Sequence, residues 1–192
     1  PIELGGFMLG ALVQSNFGRS RDLVIAGMPI GQTLQPPNTM DARLRHSGVM
    51  APDDKGSIMI VLATDAPLDA RQLHRMCVRA GVGLARAGSH YGHGSGDFVI
   101  GFSTANRIEH EPIGLVGTRA VLINEAKAME GLFRAVVESV EEAIVNSLFV
   151  AETMTGRDDH VAWALPIAEV SALASRFTNS RSRETPNDLI KT

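Results

Sequence analysis

A single cysteine, Cys77, stands in 192 residues, so the chain closes no disulfide within itself. It lies in Leu73-His-Arg-Met-Cys-Val78, on a predicted helix among apolar neighbours. A free thiol there behaves as a small hydrophobe rather than as a nucleophile. No apolar run approaches the roughly 20 residues that cross a bilayer, so no membrane partner is expected. Lys and Arg nowhere cluster with interleaved aromatics and the net charge is −3, which argues against nucleic acid. Arg19 and Arg21, like Arg181 and Arg183, read as solvated surface charge. No secretory signal is visible; the expected compartment is the cytoplasm, with the periplasm as the alternative.

What is present is ordinary for a globular chain: 44% hydrophobic and 20% charged residues. The length suits one domain over 1–192 with a sizeable core. Residues 8–15 and 22–30 read as strands joined by the turn-like Asn16-Phe-Gly-Arg-Ser20. Residues 32–56 carry Pro36-Pro37-Asn38 and Pro52-Asp-Asp54, a long connection of the kind that is usually functional or disordered. Residues 57–64 form a near-continuous apolar strand, which predicts burial on both faces. A helix follows to about Arg86, with Asp65 as its cap and Pro67 in an early position. Its apolar stripe is Leu73, Met76, Cys77, Ala80 and Leu84. Residues 97–104 make a second strongly apolar strand.

From 121 to about 154, Leu122, Ala126, Met129, Phe133, Val136, Val140, Ile144 and Leu148 recur in steps of three or four. Glu130, Arg134, Glu138, Glu141 and Glu142 supply the wet side of this helix. A short helix over 166–177 and a polar, frayed tail over 178–192 close the chain. Strands that need cover and helices that can supply it predict an α/β or α+β fold.

The chemical interest centres on Gly56-Ser57. A turn-rich stretch, Met50-Ala-Pro-Asp-Asp-Lys-Gly56, runs directly into the apolar strand, placing a serine at its mouth. Gly-Ser is a common turn before a strand. If the bond between them breaks, however, Ser57 carries a hydroxyl and an α-amine on one residue. The intrinsic pKa of such an amine is about 7.7–8.0, so it can act as base for its own hydroxyl without a triad. Ser95 and Asp97 lie in His93-Gly-Ser-Gly-Asp97, before the second apolar strand. Positions i and i+2 of an extended segment point to one side, so this hydroxyl and carboxylate can face one centre, or be a turn serine and a solvated strand-end acid. His90, His93 and Asp97 raise the question of metal, but their spacing fits no strong zinc pattern. Gly92-His-Gly-Ser-Gly96 completes neither a nucleophile elbow nor a dinucleotide fingerprint. No metal and no cofactor are expected.

Three segments occur together, in order: Ser57-Ile-Met-Ile-Val-Leu-Ala-Thr-Asp-Ala-Pro-Leu68, His93-Gly-Ser-Gly-Asp-Phe-Val-Ile-Gly-Phe-Ser-Thr-Ala-Asn106 and Asn146-Ser-Leu-Phe-Val-Ala-Glu-Thr-Met-Thr-Gly-Arg157. The set resembles the self-processing L-aminopeptidase/D-esterase family, the DmpA type, which includes the β-peptidyl aminopeptidases. Gly10-Ala-Leu-Val-Gln-Ser-Asn-Phe-Gly18 and Ile25-Ala-Gly-Met-Pro-Ile-Gly31 resemble the segment before that family's cleavage site. The resemblance covers about residues 5–177. Family members carry a long N-terminal portion before this segment, so the chain is expected to be a C-terminal piece of a longer protein.

The resemblance implies a four-layer αββα sandwich and cleavage between Gly56 and Ser57. Residues 1–56 would then end the N-terminal subunit, and 57–192 would form the C-terminal one. It implies Ser57 as the acyl-accepting nucleophile and Ser95 with Asp97 as the pair that orients its amine and hydroxyl. It also implies Asn16 as an oxyanion donor, where the residue alone reads equally as a turn asparagine. Asn146 and Glu152 are expected to hold structural hydrogen bonds. The implied substrates are short peptides, amides or esters with a free amino end. The implied partners are the N-terminal portion of the same protein and further copies in a homo-oligomer. Two alternatives are acyl transfer of the ornithine acetyltransferase kind and a truncated, non-catalytic assembly module.

Overall fold

Alternation of buried and open side chains begins at the second strand and organises the first part of the molecule. In this computed structural model, residues 2–4, 6–34, 56–111, 113–159 and 161–181 are described. They divide into two compact units, Pro1–Gly18 with Pro52–Ser147 and Arg19–Ala51 with Leu148–Thr192. The stretch predicted as a long connection falls largely at residues 35–55, outside the described residues, as does most of the predicted tail.

The first unit is built on a four-stranded sheet in the order β1 (Ile2–Leu4), β2 (Phe7–Asn16), β3 (Ser57–Thr64), β4 (Phe98–Ser103). Strand β2 runs antiparallel to both β1 and β3, and β4 runs parallel to β3. A parallel pair needs a long crossover, usually helical. Here it contains α2 (Ala70–Arg86), numbered after the one-turn α1 (Ile30–Thr33) of the second unit. The long helix α3 (Glu125–Val150) follows β4.

Ile58, Ile60, Leu62 and Thr64 point to one face and are nearly inaccessible, together with Leu9 of β2. Against them pack Met76, Ala80 and Leu84 of α2 and Met129, Leu132, Val136, Val140 and Ile144 of α3. Full burial of each large aliphatic side chain is worth about 1.5–3 kcal/mol, so this face anchors the unit. The opposite face carries Met8, Leu12, Met59, Phe98, Ile100 and Phe102, all exposed. Burial of β3 on both faces was expected from its composition. Within the described residues only one face is covered.

Helix α2 starts later than the sequence suggests. Asp65 is not its cap; its carboxylate accepts the Met8 amide at 2.7 Å, fastening the end of β3 to β2. Asp69 caps instead, accepting from the Gln72 amide at 2.7 Å while Gln72 Oε1 accepts the Asp69 amide at 3.0 Å. This reciprocal capping satisfies two of the donors that a helix start leaves unpaired. Gln72 is buried, and its Nε2 donates to the Leu122 carbonyl at 2.9 Å and to Glu125 at 3.1 Å. Residues 121–124, expected to be helical, lie ahead of the helix instead, held by the Leu122 amide on the Pro67 carbonyl at 2.7 Å. Cys77 packs where β4 has Gly101, whose missing Cβ would lie 2.7 Å from the sulfur. Burial raises its thiol pKa, which suits a packing role.

In the second unit, the strand expected over 22–30 does not form. A 3-10 turn at Ser20–Asp22 leads to a tight reversal in which Ile25 and Met28 exchange backbone hydrogen bonds of 3.0 and 2.9 Å. Ala26 and Gly27 take positive φ (50° and 77°) to make the reversal, which an extended strand cannot accommodate. Helix α1 follows. Later in this unit, β5 (Met154–Thr155) and β6 (Val161–Ala162) pair antiparallel and precede α4 (Ile167–Arg181).

Glu125 ties the starts of the two long helices together, contacting Arg71 and Arg75 of α2 as well as Gln72. The hydrogen bond from Arg71, then that from Gln72, lowers its pKa from 4.5 to about 2 against an opposing desolvation effect, with the Arg71 and Arg75 charges assisting. A carboxyl more acidic folded than unfolded contributes stability above its unfolded pKa and loses it as pH falls through the folded value. The contribution of Glu125 is thus complete above about pH 4.5 and fades towards about pH 2. Glu125→Gln is expected to lower stability at neutral pH, with the difference from wild type shrinking across that acid window. Denaturant unfolding at stepped pH checks this; a difference that does not change with pH would remove the ion pairs as its source.

Candidate active site

Ser57 is the first residue of β3 and lies on the open face of the sheet, in line with Met59. Its cross-strand partner in the β2–β3 register is Asn16, the last residue of β2. Directly paired residues of an antiparallel ladder project to the same face, so the Asn16 amide and the Ser57 hydroxyl share one sheet end. Asn16 is exposed there and Ser57 is half-buried.

Gly56 is needed for this approach. A Cβ at position 56 would overlap the Asn16 carbonyl oxygen and the Phe17 Cα, where the end of β2 passes the start of β3. The end of β2 is also tied to α3: Ser15 and Ser147 share a hydrogen bond of 2.7 Å, and the Ser147 hydroxyl contacts the Ile144 carbonyl at the same distance.

The third contribution comes from the loop before β4. Because Met59 pairs with Phe98 in parallel register, the residues just before Phe98 lie beside those just before Met59. The Gly96 amide donates to Ser57 Oγ at 3.3 Å across a sequence separation of 39. A Cβ on Gly96 would sit 3.3 Å from that oxygen, tight enough to push it. On either side of Gly96 stand Ser95 and Asp97, and the Ser95 hydroxyl donates to Asp97 Oδ1 at 2.7 Å. Ser95 is itself set by a turn in which its amide donates to the Gly92 carbonyl at 2.9 Å.

Ser57, Gly56, Asn16, Ser95 and Asp97 are thus gathered at one end of the sheet, along with the Gly96 amide, which sequence reasoning did not single out. The signal for it was the glycine between Ser95 and Asp97, a residue whose missing side chain leaves room for the Ser57 hydroxyl beside its backbone. Asn146 is exposed near the end of α3, and Glu152 is exposed in the second unit. Among the described residues no three His, Cys, Asp or Glu side chains converge, so His90, His93 and Asp97 do not assemble as a ligand set.

Chemically, the Gly96 N–H gives Ser57 Oγ a donor that stabilises negative charge on it, while leaving the hydroxyl hydrogen free to depart. No imidazole is hydrogen-bonded to Ser57 among the described contacts.

The mixed α/β architecture matches solved structures of the Ntn-hydrolase class of folds. An L-aminopeptidase D-Ala-esterase/amidase from Ochrobactrum anthropi, described as a variant of that fold, superposes with a TM-score of 0.77 at 36% identity, over 92% of this chain and 46% of its own. The family model for peptidase family S58 matches residues 1–162, and the chain belongs to that family. The β-peptidyl aminopeptidase BapA of Sphingosinicella xenopeptidilytica is 40% identical over 169 residues, 83% of this chain and 40% of the relative. The PH0078 protein of Pyrococcus horikoshii OT3 superposes with a TM-score of 0.73 at 43% identity, over 92% of this chain and 45% of its own. The chain therefore spans less than half the length of these relatives.

The steric role of Gly56 has a direct consequence. Gly56→Ala forces β2 and β3 apart at their shared end, and such overpacking costs about 1–3 kcal/mol. Thermal unfolding of this variant should show that loss, while Gly10→Ala, where an added Cβ meets nothing within 4 Å, should melt near wild type. Equal melting of the two would mean that the strand ends yield easily.

Proposed function

We propose that this chain is the nucleophile-bearing part of a self-processing serine aminopeptidase or amidase. The observation that carries the reading is the Gly96 N–H donated to Ser57 Oγ at the Gly56–Ser57 junction, with Asn16 across the strand pair. Membership of a peptidase family and the aminopeptidase names of its relatives support the same reaction class.

In the proposed maturation, Ser57 Oγ attacks the Gly56 carbonyl carbon and the hydroxyl proton passes to the departing α-nitrogen. The peptide bond becomes an ester, which water hydrolyses to release residue 56 as a carboxylate. In turnover, the freed Ser57 amine takes the hydroxyl proton while Oγ attacks the carbonyl of a short peptide, amide or ester bearing a free amino end. Asn16 donates to the developing oxyanion, the kind of interaction worth about 10²–10³ in turnover. Ser95 and Asp97 orient the amine, and the proton goes on to the leaving group. Water then hydrolyses the acyl ester.

Two surface features support further parts of the proposal. The open sheet face, with Phe98 61% and Ile100 58% exposed, suits a second sheet laid over it in an αββα sandwich, supplied by the portion that longer relatives possess. The segment between Asn106 and Ala120, closed by paired hydrogen bonds of 3.0 and 2.9 Å, exposes Ile113, Leu115 and Val116 almost fully, as contacts of a homo-oligomer would.

The complete protein is expected to split into two pieces, the second beginning Ser-Ile-Met-Ile, while Ser57→Ala remains one chain. Intact mass and N-terminal sequencing check this. A Ser57→Ala protein that still splits at this bond would remove Ser57 as the processing nucleophile.

The amine-as-base step has its own signature. Rate should rise with pH through one ionisation as the Ser57 ammonium loses its proton. A carboxylate beside it stabilises the ammonium and raises that ionisation. Asp97→Asn in processed protein should therefore move the midpoint of log(kcat/KM) against pH downward, besides slowing turnover. A midpoint left in place would detach Asp97 from the amine.

A further inference from the structure

Tyr91, the only tyrosine in the chain, sits in a backbone conformation that aromatic residues avoid, with φ of 55°. Positive φ at a bulky residue carries strain and persists only where surrounding contacts hold it. Two contacts do so. The Tyr91 amide donates to Oγ of buried Ser89 at 3.3 Å, fixing the backbone just after α2. The ring lies against α2 at Gly81, where an added Cβ would overlap the phenol oxygen and lie 2.9 Å from Cζ and 3.0 Å from Cε2. Glycine inside a helix is locally unfavourable, and here its absent side chain is the space the ring fills. Gly83, two residues on, has a different reason: its Cβ would meet the Val137 carbonyl at 2.7 Å, where α2 and α3 approach.

Tyr91 belongs to the segment that ends on Ser57. Gly92 accepts the Ser95 amide, Ser95 holds Asp97, and Gly96 donates to Ser57 Oγ. The segment is otherwise rich in glycine, with exposed His90 and His93, and has little packing of its own. Tyr91 is 48% exposed, and the burial of the rest of its ring, then the negative charge of Asp97, raises its pKa, consistent with a ring held near that carboxylate.

We propose that Gly81 and Tyr91 form a positioning pair: the phenol ring, seated in the gap on α2, fixes the 88–97 segment so that the Gly96 amide and the Ser95–Asp97 pair meet Ser57. Neither residue touches substrate; both act through the segment. This rests on the aminopeptidase reading of Ser57. The pair explains why a strained aromatic and a mid-helix glycine stand at these two positions. It also explains how a glycine-rich segment holds a hydrogen bond to the nucleophile.

The test uses the complete, processed protein and a p-nitroanilide of an amino acid with its amino end free. Gly81→Ala displaces the ring, and Tyr91→Gly removes it while relieving the positive φ. Each should lower kcat by about 10- to 100-fold, the scale of a misplacement of about 1 Å, with KM within about twofold. The double variant should fall no further than either single one, since both remove the same contact. Tyr91→Phe keeps the ring seated and should stay within about twofold of wild type. Tyr91→Gly should melt no lower than Tyr91→Ala, which retains the strain, so its lost turnover is separable from unfolding; if Gly81→Ala fails to fold, Tyr91→Gly decides alone. Retention of kcat within about twofold in Tyr91→Gly, or multiplied losses in the double variant, would overturn the pairing while leaving the aminopeptidase reading intact. A wild-type protein that neither splits nor turns over the anilide would overturn that reading, and the positioning role with it.

Discussion

Strand β3 is held in register from both sides, and everything at the sheet end depends on that. On one side the antiparallel ladder to β2 sets Asn16 opposite Ser57. On the other, the parallel ladder to β4 starts at Met59 and Phe98, leaving the backbone before Phe98 beside the backbone before Met59. A slip of one residue in either ladder would turn the side chains of a strand to the other face. The core opposes the slip, because it would turn Ile58, Ile60 and Leu62 out of the core onto the open face. The geometry around Ser57 is therefore a consequence of hydrophobic burial on the opposite face of the same strand.

The helices serve that register at one remove. Gln72 joins the start of α2, the Leu122 carbonyl and Glu125 through one buried and fully bonded amide. Arg79 and Arg75 lie over the Phe133 ring, at 3.9 and 5.1 Å from its centroid, and add a second tie between α2 and α3. Cation–π contacts of this sort are worth about 0.5–1 kcal/mol where exposed. Two glycines, Gly81 and Gly83, let a ring and a neighbouring helix approach the α2 backbone closely. The helix is thus packed against β4, α3 and the segment leading to the site at the same time.

Much of the architecture was readable beforehand. The stripe from Met129 to Ile144 fixed α3 in outline, because a period near 3.6 over so many residues has no other structural reading. The strand over 8–15 was legible as well and became most of β2. The segment from 22 to 30 was misread because it is apolar, whereas the pair Ala26-Gly27, able to adopt positive φ, outweighed hydrophobicity. Asp65 was misread as a cap because two acids, Asp65 and Asp69, stand ahead of α2, and only the second has Gln72 three residues on. The apolar composition of β3 forecast cover on two faces, and the described chain brings cover to one.

By itself the sequence determined the local features: the glycine-serine junction before an apolar strand, the helical and extended periods, and the ordered motifs. These are properties of neighbours along the chain, decided by propensity and by which side of an element is apolar. Only the tertiary structure decided which distant groups meet Ser57. That Gly96 offers its amide across a separation of 39 residues, and that Tyr91 rests in the space left by Gly81, follow from strand register and the close approach of side chains to glycine backbone. Register is chosen by the whole core together, and a close approach requires an absent atom rather than a present one. Neither leaves a period or a spacing that can be read before the chain is folded.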